Sequence, residues 1–155
     1  MTTIRPARAA DAGHIRIIAE TCGLFAPEEV PLLLETFAPE ATGSGTAWFL
    51  SPHGAAMVEP EPFSAGLWNL RFIAVRPEAR RGGEGRALVA TAEAHAGSAG
   101  GRLLLVDTQG DETTMTARSF YAALDYEREA VIRDYFGDGI DKVTFCRRLS
   151  LHHEA

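Results

Sequence analysis

Cysteine is scarce in this chain: two residues, Cys22 and Cys146, in 155. That is too few for a disulfide framework and fits a reducing cytoplasm. No apolar run approaches the roughly 20 residues of a membrane-spanning helix, and the amino terminus, Met-Thr-Thr-Ile-Arg-Pro, lacks a signal-peptide core. Cationic residues are outnumbered, 15 Lys and Arg against 21 Asp and Glu, for a net charge of −6. A broad basic face is therefore missing, which argues against nucleic acid as a partner, and no membrane partner is expected either. There is no internal repeat. His152 and His153 in the tail read as solvated, so no metal is expected.

What the chain does have is apolar bulk and one concentrated loop. With 46% apolar residues a substantial core can be buried, and the length suits one domain, expected over 1–150 with a flexible tail at 151–155. The loop is Val75-Arg76-Pro77-Glu78-Ala79-Arg80-Arg81-Gly82-Gly83-Glu84-Gly85-Arg86. It follows an apolar run, Leu70 to Val75, and precedes a helix-patterned run, Ala87 to Ala96, so it reads as strand, glycine-rich loop, helix. Glycines at 82, 83 and 85 let a ligand approach the backbone. The first amides of the following helix carry the positive end of its dipole and suit a phosphate. Arginines 76, 80, 81 and 86 make this segment cationic within an anionic chain.

Three phosphate-binding patterns compete for the segment. The P-loop fails, because no Gly-Lys-Ser/Thr follows a four-residue gap. The dinucleotide fingerprint G-x-G-x-x-G is met at Gly83 and Gly85 only; its third position is Leu88, and seven residues separate Val75 from Gly83. Asp107 stands about where the ribose-binding acid of that fingerprint would. The third pattern, R/Q-x-x-G-x-G/A after a V-x-P strand exit, is filled by Arg80, Gly83 and Gly85 with Val75 and Pro77. A plain glycine-rich turn that only joins strand to helix is the bland alternative.

Along the chain, Thr2 to Arg5 reads as a short strand stopped by Pro6. Asp11 opens a helix with Ile15, Ile18 and Ala19 on one face. Pro27 begins a second helix that buries Val30, Leu33, Leu34 and Phe37, with Pro31 awkward one turn in. Strands are expected at Thr46–Leu50, Ala55–Glu59, Leu67–Val75, Arg102–Asp107, Tyr126–Asp134 and Lys142–Leu149, and helices at Glu84–Ala96 and Thr116–Leu124. Pro60-Glu61-Pro62 ends pairing after the third strand. The strand–helix–strand run from Leu67 to Asp107 implies a parallel pair with a right-handed crossover.

The order β-α-α-β-β-β-α-β-α-β-β and the R-x-x-G-x-G loop are joined by a second segment. Ala117-Arg118-Ser119-Phe120-Tyr121-Ala122-Ala123-Leu124-Asp125-Tyr126 is similar to A-x-x-F-Y-x-x-x-G-F/Y, with Asp125 at the glycine position. Together these features resemble the GNAT superfamily of N-acetyltransferases over nearly the whole chain. The resemblance implies a single-domain α/β (α+β) fold: a mixed, mostly antiparallel sheet with a central parallel pair splayed around acyl-CoA, flanked by helices. It implies transfer of an acetyl group from acetyl-CoA, as co-substrate, to a primary amine of a small molecule or peptide, by direct attack in a ternary complex. A catalytically weak acyl-CoA-binding regulatory module of the same fold is the alternative. Arg80, Arg81, Gly82, Gly83, Glu84, Gly85 and Arg86 would surround the pyrophosphate. Ile73, Ala74 and Val75, opposite Leu104 to Val106, would pair with the pantetheine arm, and an amide near Ile73 or Ala74 would serve the oxyanion. Thr114 stands where the family often has an asparagine reaching that arm. Family members are often dimers, so a homodimer is carried over with the rest.

The chemistry needs an acid and a base. A free thiol has a pKa of roughly 8.5 and a phenol roughly 10, so a phenol can protonate the leaving sulfur at neutral pH. Tyr121 matches the family's acid position, although its helical spacing also fits an ordinary core aromatic. The attacking amine, almost all ammonium at pH 7, must lose a proton to a carboxylate. Related chains often place a glutamate on the strand before the loop, where this one has Asn69, which cannot act as a base. Asp107, at the carboxyl end of its strand, is the preferred substitute and Glu59 the second choice. The acceptor is expected between the N-terminal helices, the loop after Glu59 and the turn at Tyr135. Phe25, Phe37, Phe63, Trp68 and Phe136 are its apolar candidates, and Asp134, Asp138 and Asp141 form an acidic turn nearby.

Overall fold

Arg5–Pro6 (β1) is a strand of two residues. In the computed structural model, which describes residues 2–39, 45–110 and 115–149, it pairs antiparallel with the end of the second strand, Arg5 against Leu50 and Pro6 against Phe49. Pro6 was expected to stop this strand and instead belongs to it. The strand sits at the sheet edge, where a missing amide donor is tolerated. A 3-10 turn, Ala9–Asp11, leads into α1 (Ala12–Thr21), and the Asp11 carboxylate accepts the Arg8 amide at 2.7 Å. Helix α2 (Val30–Glu35) starts three residues later than Pro27. That start puts Pro31 in the first turn, where its missing N–H breaks no helical bond.

The remaining elements are β2 (Ala47–Leu50), β3 (Gly54–Pro60), β4 (Leu67–Val75), α3 (Glu84–Ser98), β5 (Leu103–Gln109), α4 (Met115–Ala123), β6 (Glu127–Gly137) and β7 (Ile140–Arg148). They follow the expected order, and the limits of β4 agree to the residue. The strands form one mixed sheet in the order β1-β2-β3-β4-β5-β7-β6. Among the described strands only β4 and β5 run parallel, joined by α3 as the crossover. This is a single-domain α+β fold of the expected kind.

Each face of the sheet carries its own core. On one, α1 sets Ile15 and Ile18, both 0% exposed, against Trp48, Leu50, Met57, Phe72 and Ala74, with Phe25, Leu33, Leu34 and Phe37 at the margin. On the other, α3 sets Leu88, Val89, Ala92 and Ala96 against Val58, Trp68, Leu70, Leu104 and Val106, and α4 adds Tyr121. The strands between are apolar on both faces for this reason. Strand β6 is exposed from Glu127 to Phe136, and two register shifts kink it, a device that blunts a sheet edge. No helix among the described residues is long and apolar enough to cross a membrane.

Candidate active site

Strands β4 and β5 hold together for three rungs: Leu67 with Leu103, Trp68 with Leu104, Asn69 with Leu105. Beyond Asn69 they part, although β4 runs on to Val75 and β5 to Gln109. Leu104 to Val106 does not lie opposite Ile73 to Val75 as expected, because Leu104 faces Trp68; the separation before Ile73 is that of the splayed pair. On its other side β4 stays paired with β3 as far as Val75 against Gly54. A bulge between Met57 and Val58 leaves Arg71 without a register partner, and such an insertion increases local twist. Strand β5 meanwhile stays paired with β7 as far as Gln109 against Lys142. Each strand follows its outer neighbour, and a gap opens between them. Successive amides of a strand point to opposite sides, so one of the Ile73 and Ala74 N–H groups faces that gap.

The glycine loop lies at the carboxyl end of β4. The Arg76 amide donates to His53 O at 2.9 Å, and a 3-10 turn, Pro77–Ala79, follows. Arg80 and Gly82 turn their amides inward, to Pro77 O at 3.4 Å and Ala79 O at 3.2 Å. The first helical bond of α3 runs from Ala87 N to Gly83 O at 3.0 Å, so the Glu84, Gly85 and Arg86 amides have no carbonyl one turn back. Gly83 caps the helix at φ +85°, a conformation a side chain disfavours. A Cβ on Gly85 would lie 3.4 Å from Phe120 Cζ, so this glycine lets α4 approach α3.

The side chains of the loop divide their work. Arg80 donates Nε–H to Val75 O at 3.1 Å and an Nη2–H to Cys22 O, which braces the loop against β4 and the end of α1. Arg76 pairs with Glu78 at 2.8 Å. Arg81 and Arg86 are exposed. Glu84, 7% exposed, turns back to the β2–β3 hairpin and accepts the His53 amide at 2.7 Å, with His53 Nδ1 2.9 Å from its other oxygen. Burial pushes the Glu84 pKa up, but the nearby Ser51 hydroxyl and the hydrogen bonds from the His53 amide and ring outweigh it, and the net shift is downward. Thr114 lies outside the described residues.

Tyr121 is 3% exposed and packs among Phe120, Tyr126 and Phe145, with ring centroids 5.2 to 5.9 Å away. Burial raises its pKa well above the usual phenol range, so it stays protonated. Asp107 lies two residues beyond the last β5 rung, on the face that Leu105 shares with Asn69. Its Oδ1 accepts the Thr144 hydroxyl at 2.6 Å and its Oδ2 lies 3.6 Å from Lys142 Nζ.

A network the sequence reading missed sits where the strands part. Arg71 donates Nε–H to Glu59 Oε1 at 2.9 Å and an Nη2–H to Glu61 Oε1, which also accepts Asn69 Nδ2–H at 2.9 Å. Thr46 Oγ1 donates to Glu59 Oε2 at 3.1 Å. The available signal was the alternation Glu59, Glu61 opposite Asn69, Arg71, hidden because Pro60 and Pro62 read as a plain stop.

The apolar candidates separate. Phe25 stacks on Phe72 and Phe37 meets Trp48 edge-on, both on the α1 side. Trp68 belongs to the opposite core against His95, while Phe63 and Phe136 are exposed. The acidic turn caps itself: Asp134 Oδ1 accepts Gly139 N at 2.8 Å and Asp141 Oδ1 accepts Asp134 N at 3.1 Å.

The profile described as an acetyltransferase (GNAT) domain matches residues 43–128. No curated protein sequence matches the chain. Among solved structures, a candidate acetyltransferase of the GNAT family from Desulfovibrio desulfuricans superposes with a TM-score of 0.89 at 28% identity, over 97% of this chain and 100% of that one. The ribosomal-protein-S18-alanine N-acetyltransferase from Escherichia coli gives 0.76 at 20% identity, over 99% and 97% of the two chains. An aminoglycoside 6'-N-acetyltransferase complexed with coenzyme A gives 0.77 at 13% identity, over 96% and 97%. The last two speak for the fold alone. The profile spans more than half of the chain, and over the segment that carries the parting strands, the glycine loop and α4; the protein belongs to the GNAT family of acetyltransferases.

Proposed function

We propose that the protein moves an acetyl group from acetyl-CoA to a primary amine of a small molecule or peptide, by direct attack in a ternary complex. The observation that carries this reading is the gap between β4 and β5: three rungs, then an open β4 edge that ends beside the first amides of α3. A pantetheine arm, with its two amides, would pair with that edge as an added strand, and the pyrophosphate would sit at the start of α3. The thioester would then lie toward Arg71. The amine nitrogen attacks the thioester carbonyl, and the amide of Ile73 or Ala74 that faces the gap holds the oxyanion. The C–S bond breaks as the intermediate collapses, and Tyr121 gives its proton to the departing thiolate. Burial that raises the phenol pKa raises that of a thiol beside it in the same direction, so enclosure does not by itself spoil the transfer. The proton of the acceptor ammonium passes to a carboxylate on the open face, which Asp107, Glu59 and Glu61 share.

Tyr121 deep in an aromatic cluster favours a second reading, a catalytically weak acyl-CoA-binding regulatory module. Acetyl-CoA and a panel of primary amines, with thiol release as readout, separate the two. The expected result is thiol release with at least one amine, and in Tyr121→Phe a fall in kcat of at least about tenfold with coenzyme A affinity kept, as loss of a general acid requires. Coenzyme A binding without release from any amine supports the regulatory module, and no coenzyme A binding defeats both.

A further inference from the structure

At the point where β4 leaves β5, charge is out of balance. Asn69 is the last paired residue, 4% exposed, and as an amide it holds no exchangeable charge. It points its Nδ2–H at Glu61 Oε1, and Arg71, the residue at the bulge, reaches that same oxygen and Glu59 Oε1. Two carboxylates thus share one guanidinium, and one negative charge is left over. Among the described residues both side-chain bonds to the Glu61 carboxylate fall on Oε1, so Oε2 remains for a further donor. The Glu61 amide donates to Leu67 O at 2.8 Å, which fixes the segment to the start of β4. Asp107 differs: it faces one ammonium, Lys142, and one hydroxyl, Thr144, and its charge is matched.

We propose that Glu61 is the proton acceptor of the reaction, with Asn69 and Arg71 as its positioning residues, and that the acceptor substrate arrives as a cationic primary ammonium. The assignment rests on the acetyl-transfer reading. The ammonium matches the one unbalanced charge of the Glu59–Arg71–Glu61 group. Its N–H proton passes to Glu61 Oε2, giving a neutral amine and a neutral carboxylic acid, and the amine lone pair then attacks the thioester. The amide product carries no charge at that nitrogen and leaves. Glu61 is partly exposed and returns its proton to solvent.

The test is kcat/KM against pH for wild type, Glu61→Gln, Glu61→Asp and Asp107→Asn, with acetyl-CoA and the best amine of the panel. A thermal melt and a coenzyme A titration of each variant confirm folding and donor binding. Glu61→Gln is expected to lose at least about a hundredfold in kcat together with the acid limb of the profile, as removal of a general base does. Glu61→Asp recovers part of the rate and the limb, and Asp107→Asn keeps the acid limb whatever it does to the rate. If Glu61→Gln does not fold, Asn69→Ala reads the same assignment: a fall in kcat with donor affinity kept supports it, and an unchanged kcat overturns it. Wild-type turnover with the acid limb intact in Glu61→Gln, or lost in Asp107→Asn instead, overturns this assignment alone. A wild-type protein that releases no thiol from any amine defeats the acetyl-transfer reading and this one with it.

Discussion

The two halves of β4 are built from similar residues and do different work. Leu67 to Asn69 is paired on both edges, to β3 and β5, and Trp68 packs edge-on against His95 at 5.6 Å in the core under α3. Arg71 to Val75 is just as apolar beyond its first residue, with Phe72 5% and Ala74 5% exposed, yet it is paired on one edge only. Side chains therefore cover both halves alike, and the backbone tells them apart. An unpaired strand edge inside a sheet leaves donors and acceptors to be satisfied, and the proposed pantetheine arm would complete the sheet with its own amides. The lesson is that a groove in this sheet is made by withholding hydrogen bonds, with the hydrophobic core left whole beneath it.

If the halves are separable, damage to the first should cost stability and spare donor binding. Trp68→Ala is the largest test. Trp68 is 6% exposed, and Gly101 is packed so closely that a Cβ there would lie 2.7 Å from Trp68 Cδ1. The loss should be about 3–5 kcal/mol, which at this chain length lowers Tm by roughly 10 °C. Titration of the folded protein below that temperature should give coenzyme A affinity within about threefold of wild type. A loss of affinity that tracks the loss of stability would show that the rungs and the gap are one cooperative unit.

Gly85→Val makes the converse test at the open end. The added Cβ would meet Phe120 at 3.4 Å, and the two methyls beyond it must press on that ring or cover the first amides of α3. Coenzyme A affinity should fall at least about tenfold, or ~1.4 kcal/mol. Melting should move by only a few degrees, because replacing glycine early in a helix recovers part of the strain through reduced backbone freedom. Isothermal titration and a melt on the same sample decide it, and unchanged affinity would remove the α3 terminus from the donor site.

Much of this arrangement could be read from residues before any coordinates. The ends of β4 and the start of α3 were legible because an apolar run, a proline and three glycines mark them locally. The rung register was not, since it depends on the bulge that skips Arg71, and a bulge is a relation between two strands rather than a property of one. Pro31 was legible as a problem but not as its solution, because the turn at residues 27–29 that delays α2 has no strong signal of its own. Glu61 was passed over for a related reason. Between two prolines it looks like the end of a strand, and only the fold brings Asn69 and Arg71 across to it.

The smallest effect tests what holds the loop to the rest. Glu84 is the first residue of α3, and its carboxylate ties that helix to the hairpin at His53, next to the open half of β4. Its pKa in the folded protein lies below the ordinary glutamate value. A depressed carboxylate contributes stability that is fully present above the unfolded pKa, roughly 4.3, and that disappears as pH falls through the folded value. Glu84→Gln keeps the shape and an acceptor for the His53 amide but loses the charge. Between pH 6 and 8 it should melt a few degrees below wild type, for a loss of about 1–2 kcal/mol, and the difference should close as pH is lowered from about 4. Trp68 is held by packing in the core under α3 and not by the Glu84 carboxylate, so Trp68→Ala should lie below wild type by a gap that does not close in this range. Parallel pH–Tm curves for wild type and Glu84→Gln down to pH 3 would mean that the carboxylate does not hold the loop through its charge, and that the helix start is fixed by Gly83 and by Arg80's grip on Val75 and Cys22 instead.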